Sequence, residues 1–423
     1  MISLPEARRI LASLPPLPAN DQPVDRAVRA VLAEPVFART PLPHASTSAM
    51  DGWALAAPDQ EEVPEGPQWR VSRPGAEHPG SQLPPLQPGE AIGVVTGSPV
   101  PAGTVSVLRS EHGRLESCLL APTPGTPDLE RGRNIRPAGI EASHGQQLLS
   151  AGETLTPVRT ALAAVAGYDT VKVHPLPCVE IITTGAEIIT SGIPVSGQVR
   201  DTFTMSLPPM VAALGGQTQS VTRLDDDVAA AAHRFSSSSA DLIITTGGTA
   251  HSRADAVRPA LQQCRAEFLV DSVDMRPGHP VLSARLPSGT LVLGLPGNPL
   301  AGFAALTLLG RPLLRTLLGD SDPLAAGVFT AEAGQDLSPA RRGHRLLPTL
   351  RRGGVLHPTD FSRPHMLRGL ARAEAFAVIP PEGVKASTAA ECHLIPGQQT
   401  VGEFCADADI TKQERQRKPS WDV

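Results

Sequence analysis

The stretch DLIITTGGTAHSRADAV, residues 241–257, decides the fold class because an apolar strand ends in it at two consecutive glycines. Its first part, the run DLIITTGG at residues 241–248, predicts a buried strand. Two further runs have the same form, CVEIITTG at residues 178–185 and TLVLGLPG at residues 290–297. Each run ends in glycine and is followed by residues able to form a helix. Strands that alternate with helices predict a parallel sheet covered on both faces, with ligands at the carboxyl ends of its strands.

The composition limits the class of protein. A chain of 423 residues is too long for one ordinary core, so several domains are expected. The formal net charge of −5 argues against a nucleic-acid partner, because phosphate binding needs a basic surface. The five cysteines lie far apart without a CxxC pair, which predicts reduced thiols and no zinc site.

The hydrophobic pattern predicts neither a transmembrane segment nor a signal peptide. No apolar run reaches the roughly 20 residues that a membrane helix needs. The longest candidate, residues 300–318, contains Arg311 and Arg315. The N-terminus has no signal-peptide pattern, so the expected location is the cytoplasm.

The rest of the chain divides by its periodicity. Helical spacing predicts short helices at residues 4–14, 24–32 and 155–166, and two more at 205–214 and 228–235. Short alternating runs such as AIGVVTG and TVSVLRS predict a small β domain before residue 136, and RLLPTL and AFAVIP predict another after residue 322. The polar C-terminal residues predict a disordered tail.

The opening stretch also carries a candidate anion site. At Gly247 and Gly248 the backbone N–H groups can turn toward a bound anion, and a following helix adds a favourable dipole. The hydroxyls of Thr246 and Thr249 lie beside them. A tight turn without a ligand explains the glycines equally well, and Asp255 alone is equally typical of a helix cap.

The stretch LPGNPLAG, residues 295–302, predicts a rigid turn directly after a strand. Pro296 and Pro299 enclose Gly297 and Asn298, whose amides are expected to face outward. The alternative is a plain strand-to-helix turn in which Asn298 caps the helix.

Two more stretches contain charged candidates. In MRPGHP, residues 275–280, Arg276 and His279 lie on one constrained loop that can bind an oxyanion, or that is a solvated basic turn. In PHASTSAMDGWALAAPD, residues 43–59, Asp51 is a candidate oxygen ligand or general acid/base. A Ser-rich loop and a turn that opens a strand explain that stretch without a function.

Taken together, the sequence resembles the molybdopterin molybdenumtransferases, bacterial proteins related to the gephyrin E domain. The similarity covers roughly residues 5–400 and depends on the order and spacing of several motifs. These motifs are SAMDGWAL (48–55), VVTGSPVPAGTVSVLRSE (94–111), GRNIRPAGIE (132–141), TTGAE (183–187), TTGGTAHSRAD (245–255), MRPGHP (275–280) and LPGNP (295–299).

The resemblance implies a multidomain α/β protein with a molybdopterin-binding α/β sandwich built on a mostly parallel sheet. An elongated helical domain, an inserted β domain and a small C-terminal β barrel accompany it. The implied boundaries are 1–36 with 140–170 for the helical domain, 37–139 for the inserted domain, 171–322 for the sandwich, 323–403 for the barrel and 404–423 for the tail.

The resemblance also implies an activity. Adenylylated molybdopterin and molybdate are converted to molybdenum cofactor, and AMP is released with the help of Mg²⁺. The implied assembly is a homodimer whose active site lies between the third domain of one subunit and the second domain of the other. Neither a nucleic-acid partner nor a membrane span is implied.

The motifs assign roles by position. The implied catalytic residues are Asp51, Asp226 and Asp255. The implied metal ligands are Glu187, Asp226 and Asp255, since carboxylates are preferred by Mg²⁺. The implied substrate-binding residues are Thr246, Gly247, Gly248, Thr249, Ser252, Arg276, His279, Pro296, Gly297, Asn298 and Pro299.

The sequence departs from the family pattern at several positions, and this supports an alternative function. Ala142, Ala186, Arg276, His279, Ala301 and Glu374 stand where the family usually has Asp, Asp, Lys, Lys, Ser and Asn. The alternative is a catalytically degenerate, gephyrin-like scaffold that binds a peptide of a membrane or cytoskeletal partner. A third class, an adenylyltransferase acting on molybdopterin, is disfavoured by the four-domain layout.

Overall fold

The computed structural model describes residues 1–58, 67–71, 84–247 and 256–398. These residues form two compact units, and each is treated by itself. The first unit contains Met1–Asn20, Arg29–Ala33 and the described residues from Val173 onward, and the second contains Asp21–Val28 and Glu34–Lys172. The predicted four-domain division is finer than these two units and stays a prediction. The predicted disordered tail lies outside the described residues.

A six-stranded sheet forms the centre of the first unit. Its strands are β1 (Cys178–Thr184), β2 (Gln217–Leu224), β3 (Leu242–Thr246), β4 (Glu267–Asp271), β5 (Leu282–Arg285) and β6 (Leu291–Leu295). The spatial order is β2-β1-β3-β6-β5-β4. The first four strands are parallel, whereas β5 and β4 run antiparallel to their neighbours. The predicted glycine-ended strands β1, β3 and β6 are therefore confirmed as neighbours in a mixed sheet.

Both faces of this sheet are covered, as the nearly continuous apolar runs of its central strands require. Ile181, Ile244 and Leu293 belong to the core cluster on one face. Ile182 and Val292 belong to a second cluster on the other face. The helices of this region are Leu207–Ala213, Val228–Ser237, Val257–Gln263, Pro299–Ala305 and Arg311–Leu317, with a π-helical turn at Leu306–Gly310. The predicted helices at 205–214 and 228–235 are confirmed.

The longest apolar helical stretch is part of the core. Pro299–Leu317 has 19 residues and a mean hydropathy of 1.2, which meets the length and composition of a membrane span. However, 94% of it is buried inside the protein. The stretch is therefore a core helix.

A second sheet of the first unit includes the C-terminal strands. Its order is Ile2–Ser3, Val273–Arg276, His344–Arg352, Ala375–Ile379, Ala389–Leu394 and Val328–Glu332, with Val355–Pro358 beside His344–Arg352. A bridge between Ala333 and Leu356 joins the last strand to Val355–Pro358, so five strands form a ring. This ring supports the predicted small barrel, which stays a proposal. A short 3-10 helix, Leu370–Arg372, precedes the strand Ala375–Ile379.

The N-terminal segment agrees only in part with its prediction. Leu4–Ala12 is a helix, and the Ser3 hydroxyl accepts a hydrogen bond from the Glu6 amide at its start. The predicted helix at residues 24–32 is wrong. Only Val24–Arg26 forms a 3-10 turn, and Val31–Leu32 is a strand paired with residues of the strand Thr170–His174.

The second unit contains a six-stranded sheet in the region of the predicted small β domain, and the domain itself stays a prediction. Six strands pair in the order Gly113–Glu116, Leu119–Pro122, Trp69–Val71, Glu90–Val94, Gly52–Leu55 and Ser106–Arg109. The helix predicted at residues 155–166 is confirmed as Pro157–Val165, capped by the Thr156 hydroxyl. Among the described residues of both units, the remaining short strands are Asn20–Pro23, Val36–Phe37, Thr47–Ser48, Ile135–Arg136, Gln147–Leu149, Ile188–Ile189 and Val199–Arg200. The remaining 3-10 helices there are Ser110–His112 and Pro127–Leu129.

Candidate active site

The carboxyl ends of the parallel strands bring most of the predicted site residues of the first unit to one edge. Thr183 lies opposite Thr246 in the β1–β3 pairing, and Thr246 lies opposite Leu295 in the β3–β6 pairing. The loops after these strands therefore begin at the same level. Such an edge is where open α/β sheets bind ligands.

The loops after β3 and β6 touch through their glycines. The Gly247 amide donates to the Leu295 carbonyl at 3.0 Å. A Cβ on Gly297 would lie 3.4 Å from the Gly247 Cα, so the two backbones are in contact. Gly247 has φ +81°, and its Cβ would lie 3.0 Å from the Thr184 hydroxyl. The backbone of TTG and that of LPGNP thus form one surface. The expectation that the Gly247 N–H group turns toward an anion is wrong, because the Leu295 carbonyl already accepts from it.

Thr246 lies deeper than the sequence suggested. It is 3% exposed, and its carbonyl accepts a hydrogen bond from the Thr184 hydroxyl at 3.0 Å. Because it is still inside the strand, its side chain is part of the sheet rather than of the open loop. Gly297 and Asn298 are exposed beyond it.

Two of the predicted metal ligands lie at the ends of β1 and β2. Both carboxylate oxygens of Glu187 lie 3.0 Å from the position of a Cβ on Gly185, so the Glu187 carboxylate folds back over that glycine. The Ala186 amide donates to Asp226 Oδ2 at 3.4 Å. Arg223 donates to the Gly185 carbonyl at 3.1 Å and holds the loop to β2.

This pair of exposed carboxylates fits a hard cation in its chemistry, since Mg²⁺ prefers oxygen donors. The third predicted ligand, Asp255, lies outside the described residues, as do Gly248, Thr249 and Ser252. Within the described residues, no group of three or more His, Cys, Asp or Glu side chains could hold a metal ion.

Two of the three aspartates at residues 225–227 have different roles. Asp227 is the N-cap of Val228–Ser237, and its carboxylate accepts from the amides of Ala229 at 2.7 Å and Ala230 at 3.1 Å. Asp226 is not the capping residue and faces the TGAE loop through Ala186. The helix cap is therefore the neighbour of the predicted site residue, not Asp226 itself.

The proline-flanked turn leads into the helix Pro299–Ala305, as predicted. Asn298 is the N-cap by position, but its side chain makes no capping hydrogen bond. Instead, the Asn298 carbonyl accepts from the Gly302 amide at 2.8 Å. The exposed Asn298 side chain therefore has no capping role, contrary to the structural alternative.

The loop MRPGHP reaches the first turn of that helix. A Cβ on Gly278 would lie 3.4 Å from the Ala301 carbonyl. Arg276 is half-buried and donates to the Met275 carbonyl at 3.0 Å, and His279 is exposed. Both cationic candidates thus lie on a loop that packs against the helix after LPGNP.

Asp51 belongs to the second unit, where it is exposed. Its Oδ1 accepts a 2.6 Å hydrogen bond from the Thr96 amide. Hydrogen bonding to Thr96 lowers the pKa of Asp51 below its ordinary value and so favours the ionised carboxylate.

Sequence reasoning missed the buried Asp201, which holds the turn of a phenylalanine that packs against the helix after LPGNP. Asp201 is 6% exposed, and its Oδ1 accepts from the amides of Phe203 at 2.8 Å and Thr204 at 3.1 Å. The Phe203 ring packs against Phe303 with centroids 5.2 Å apart. An aspartate followed by threonine is typical of such a turn, and this was the only signal available in the sequence.

Comparison with known proteins identifies the family. Residues 2–167 match the model of the MoeA N-terminal region (domain I and II), and residues 180–316 match that of a probable molybdopterin binding domain. Molybdopterin molybdenumtransferase 2 of Mycobacterium tuberculosis is 31% identical over 392 residues, which cover 88% of this chain and 93% of the relative. The chain belongs to the molybdopterin molybdenumtransferase family. The molybdopterin molybdenumtransferase of Synechococcus elongatus is 32% identical over 67% of this chain and 72% of the relative.

A solved structure supports the fold of this family member. The molybdopterin biosynthesis MoeA protein of Pyrococcus horikoshii superposes with a TM-score of 0.75 over 94% of this chain and 100% of that chain, at 23% identity. The α/β fold with mixed sheets is therefore that of the MoeA proteins. Membership of the family makes the chain an enzyme of the transferase class.

Proposed function

We propose that the protein inserts molybdate into adenylylated molybdopterin and releases AMP, as a step of molybdenum cofactor biosynthesis. One observation carries the proposal. The TTG and LPGNP backbones touch at the carboxyl edge of the parallel sheet, and Glu187 and Asp226 lie at the ends of the adjoining strands. The names of the relatives agree with this reaction.

The glycine backbones leave room for the anionic part of the substrate. Gly247 and Gly297 carry no Cβ, so a phosphate oxygen can approach their main chain closely. Pro296 and Pro299 restrict the backbone of the second loop, which reduces the ordering cost of binding. The exposed Asn298 amide adds a neutral donor beside the glycines.

The carboxylates and the basic loop have different tasks. Glu187 and Asp226, with Asp255 in the proposal, hold Mg²⁺. When bound, Mg²⁺ supplies the positive charge that neutralises the phosphoanhydride as AMP leaves. Arg276 and His279 attract molybdate, a tetrahedral oxyanion, to the loop that packs on the helix after LPGNP.

The proposal includes the homodimer implied by the resemblance. In it, Asp51 of a second copy completes the site with an ionised carboxylate. This carboxylate would help to hold magnesium or would accept a proton of the reacting groups, and the hydrogen bond from the Thr96 amide favours its ionised form. A cytoplasmic location is part of the same proposal.

The gephyrin-like scaffold is the second candidate, and the substituted positions favour it. Ala142 and Ala301 are 2% and 3% exposed, so packed methyl groups stand where the family usually has polar side chains. Ala186 removes a carboxylate from the TGAE loop. A scaffold would bind a peptide of a membrane or cytoskeletal partner and release no AMP.

The test is release of AMP by the purified protein given adenylylated molybdopterin, molybdate and magnesium. Asp226→Asn should lower kcat by about 10²-fold, as expected for a group that stabilises transition-state charge. Asp227→Ala is the matched control, because it removes the adjacent helix cap at a cost of about 1 kcal/mol and leaves kcat intact. If the unmodified protein releases AMP no faster than the background rate, the scaffold is favoured. Equal loss of kcat in both variants would show that Asp226 acts only through the fold.

A further inference from the structure

Asp128, a buried carboxylate of the second unit, accepts hydrogen bonds from several residues outside its own short helix. Asp128 lies in the 3-10 helix Pro127–Leu129 and is 0% exposed. Its Oδ2 accepts from the Arg109 amide at 3.1 Å and from Arg109 Nε at 3.0 Å. Its Oδ1 accepts from Asn134 Nδ2 at 3.0 Å, and His112 Nδ1 lies 2.8 Å from Oδ2.

This carboxylate is ionised despite its burial. Burial alone would raise the pKa of Asp128, but the hydrogen bonds from Arg109, Asn134 and His112 outweigh it and lower the pKa to about 2. A buried charge with this many donors fixes their positions, because moving any donor leaves part of the charge unpaired.

Two of the donors stand next to the backbone groups that hold the Asp51 turn. The Ser110 amide, one residue after Arg109, donates to the Asp51 carbonyl at 3.0 Å. The Asn134 carbonyl accepts from the Ala49 amide at 2.8 Å. Both sides of the turn are therefore attached to residues that Asp128 holds.

The turn itself has little freedom. Gly52 follows Asp51 and lies opposite Arg109 in the pairing of Gly52–Leu55 with Ser106–Arg109. A Cβ on Gly52 would lie 2.0 Å from the Leu108 carbonyl, so the two backbones are in close contact. A shift of Arg109 is thus transmitted directly to the position of the Asp51 carboxylate.

We propose that Asp128 is a positioning residue for the reaction, because through Arg109 and Asn134 it fixes the backbone on both sides of Asp51. Asp128 contacts neither substrate nor Asp51 in this account. The proposal rests on the proposed function, in which Asp51 acts on the reacting groups.

The first test compares turnover in variants of matched stability. Asp128→Ala should lower kcat for AMP release by about 10–100-fold with little change of KM, since small misplacements of a reacting group have effects of this size. Asp128→Asn keeps an acceptor for Arg109 and should restore much of kcat. The control is Leu120→Ala, which removes a fully buried side chain from the core of the same unit. Equal loss of kcat in Leu120→Ala at the same loss of thermal stability would overturn the proposal.

The second test does not depend on activity. The carboxyl ¹³C resonance of Asp51, assigned with Asp51→Asn, and the ¹⁵N resonance of Thr96 report the hydrogen bond between them. In Asp128→Ala the pKa of Asp51 should rise toward its ordinary value and the Thr96 amide should shift, whereas Leu120→Ala should leave both unchanged. If Asp128→Ala does not fold, Asn134→Gly removes one donor and keeps the positive φ of that position, +59°. An unchanged Asp51 titration in the folded variant would refute the positioning role even if AMP release fails for another reason.

Discussion

Gly302 offers a sensitive test of the packing below the proline-flanked turn. A Cβ on Gly302 would lie 2.7 Å from Phe203 Cζ, 2.8 Å from its Cε1 and 2.9 Å from the Pro296 carbonyl oxygen. Gly302→Ala therefore forces the ring and the turn apart. Because Phe203 is only 6% exposed, overpacking against its ring should cost about 1–3 kcal/mol.

The single variant alone does not measure this strain. Gly302 lies inside the helix Pro299–Ala305, where alanine is favoured over glycine by about 1 kcal/mol. The net loss in the free energy of unfolding is then only about 0–2 kcal/mol. A double-mutant cycle with Phe203→Leu separates the two effects, because the helix preference is the same in both backgrounds and cancels. The smaller side chain makes room for the new methyl group, so the coupling should favour the double variant by about 1 kcal/mol.

The assay is urea unfolding followed by far-UV circular dichroism on the four proteins of the cycle. Gly297→Ala is the control, since its Cβ would meet nothing nearer than the Gly247 Cα at 3.4 Å. Its coupling to Phe203→Leu should stay within about 0.5 kcal/mol. If Gly302→Ala and Phe203→Leu are additive within the same limit, the contact is not the constraint described and the reasoning is wrong.

Three further outcomes are expected. The hydrogen bond from His393 lowers the pKa of Glu391 to about 2, and burial lowers that of His393. At acidic pH the unfolded chain therefore binds more protons than the folded chain, so the free energy of unfolding should fall as pH drops below about 6.5. In urea titrations, Glu391→Gln should flatten the part of this pH dependence that lies below about pH 4.5. Iodoacetamide at about pH 8 should alkylate the exposed Cys118 and spare Cys392, whose pKa burial raises to about 12; mass spectrometry of the native protein decides this. Ala186→Asp adds an oxygen donor to the TGAE loop and should lower the magnesium concentration for half-maximal AMP release, whereas a higher requirement would place the metal elsewhere.

The strand ends of the central sheet could be predicted from the sequence because their signals are local. A short apolar run followed by glycine marks β1, β3 and β6 without any knowledge of their neighbours. The register is not local. The two IITTG copies lie side by side with an offset of one residue, since Ile181 pairs with Ile244 rather than with Ile243. Only the packing of both sheet faces fixes such an offset.

The failed helix at residues 24–32 shows how tertiary pairing overrides periodicity. Arg29 adopts φ +76°, which interrupts a right-handed helix. Val31 and Leu32 then pair with His174 and Val173, which lie more than a hundred residues later in the chain. No local pattern reports a partner at that distance.

The sequence indicates the residue types of the candidate site more fully than it indicates the role of each residue. Three consecutive aspartates contain no signal for which of them caps the helix, and the backbone geometry selects Asp227. The sequence does not single out Asp128, because an aspartate in a surface turn and a buried aspartate that binds several donors give the same sequence pattern. Its function depends on Arg109 and Asn134, which meet only in the folded sheet.

The place of the first helix in the core has a consequence for synthesis. Leu4, Ala7 and Leu11 are buried in one cluster with Leu309 and Leu313. A ribosome adds about 5–20 residues per second, so this apolar face leaves the exit tunnel roughly 15–60 s before its partners are made. During that interval the nascent chain exposes a short apolar segment to which holdase chaperones can bind. Rare codons late in the message would prolong the exposure and lower the soluble yield.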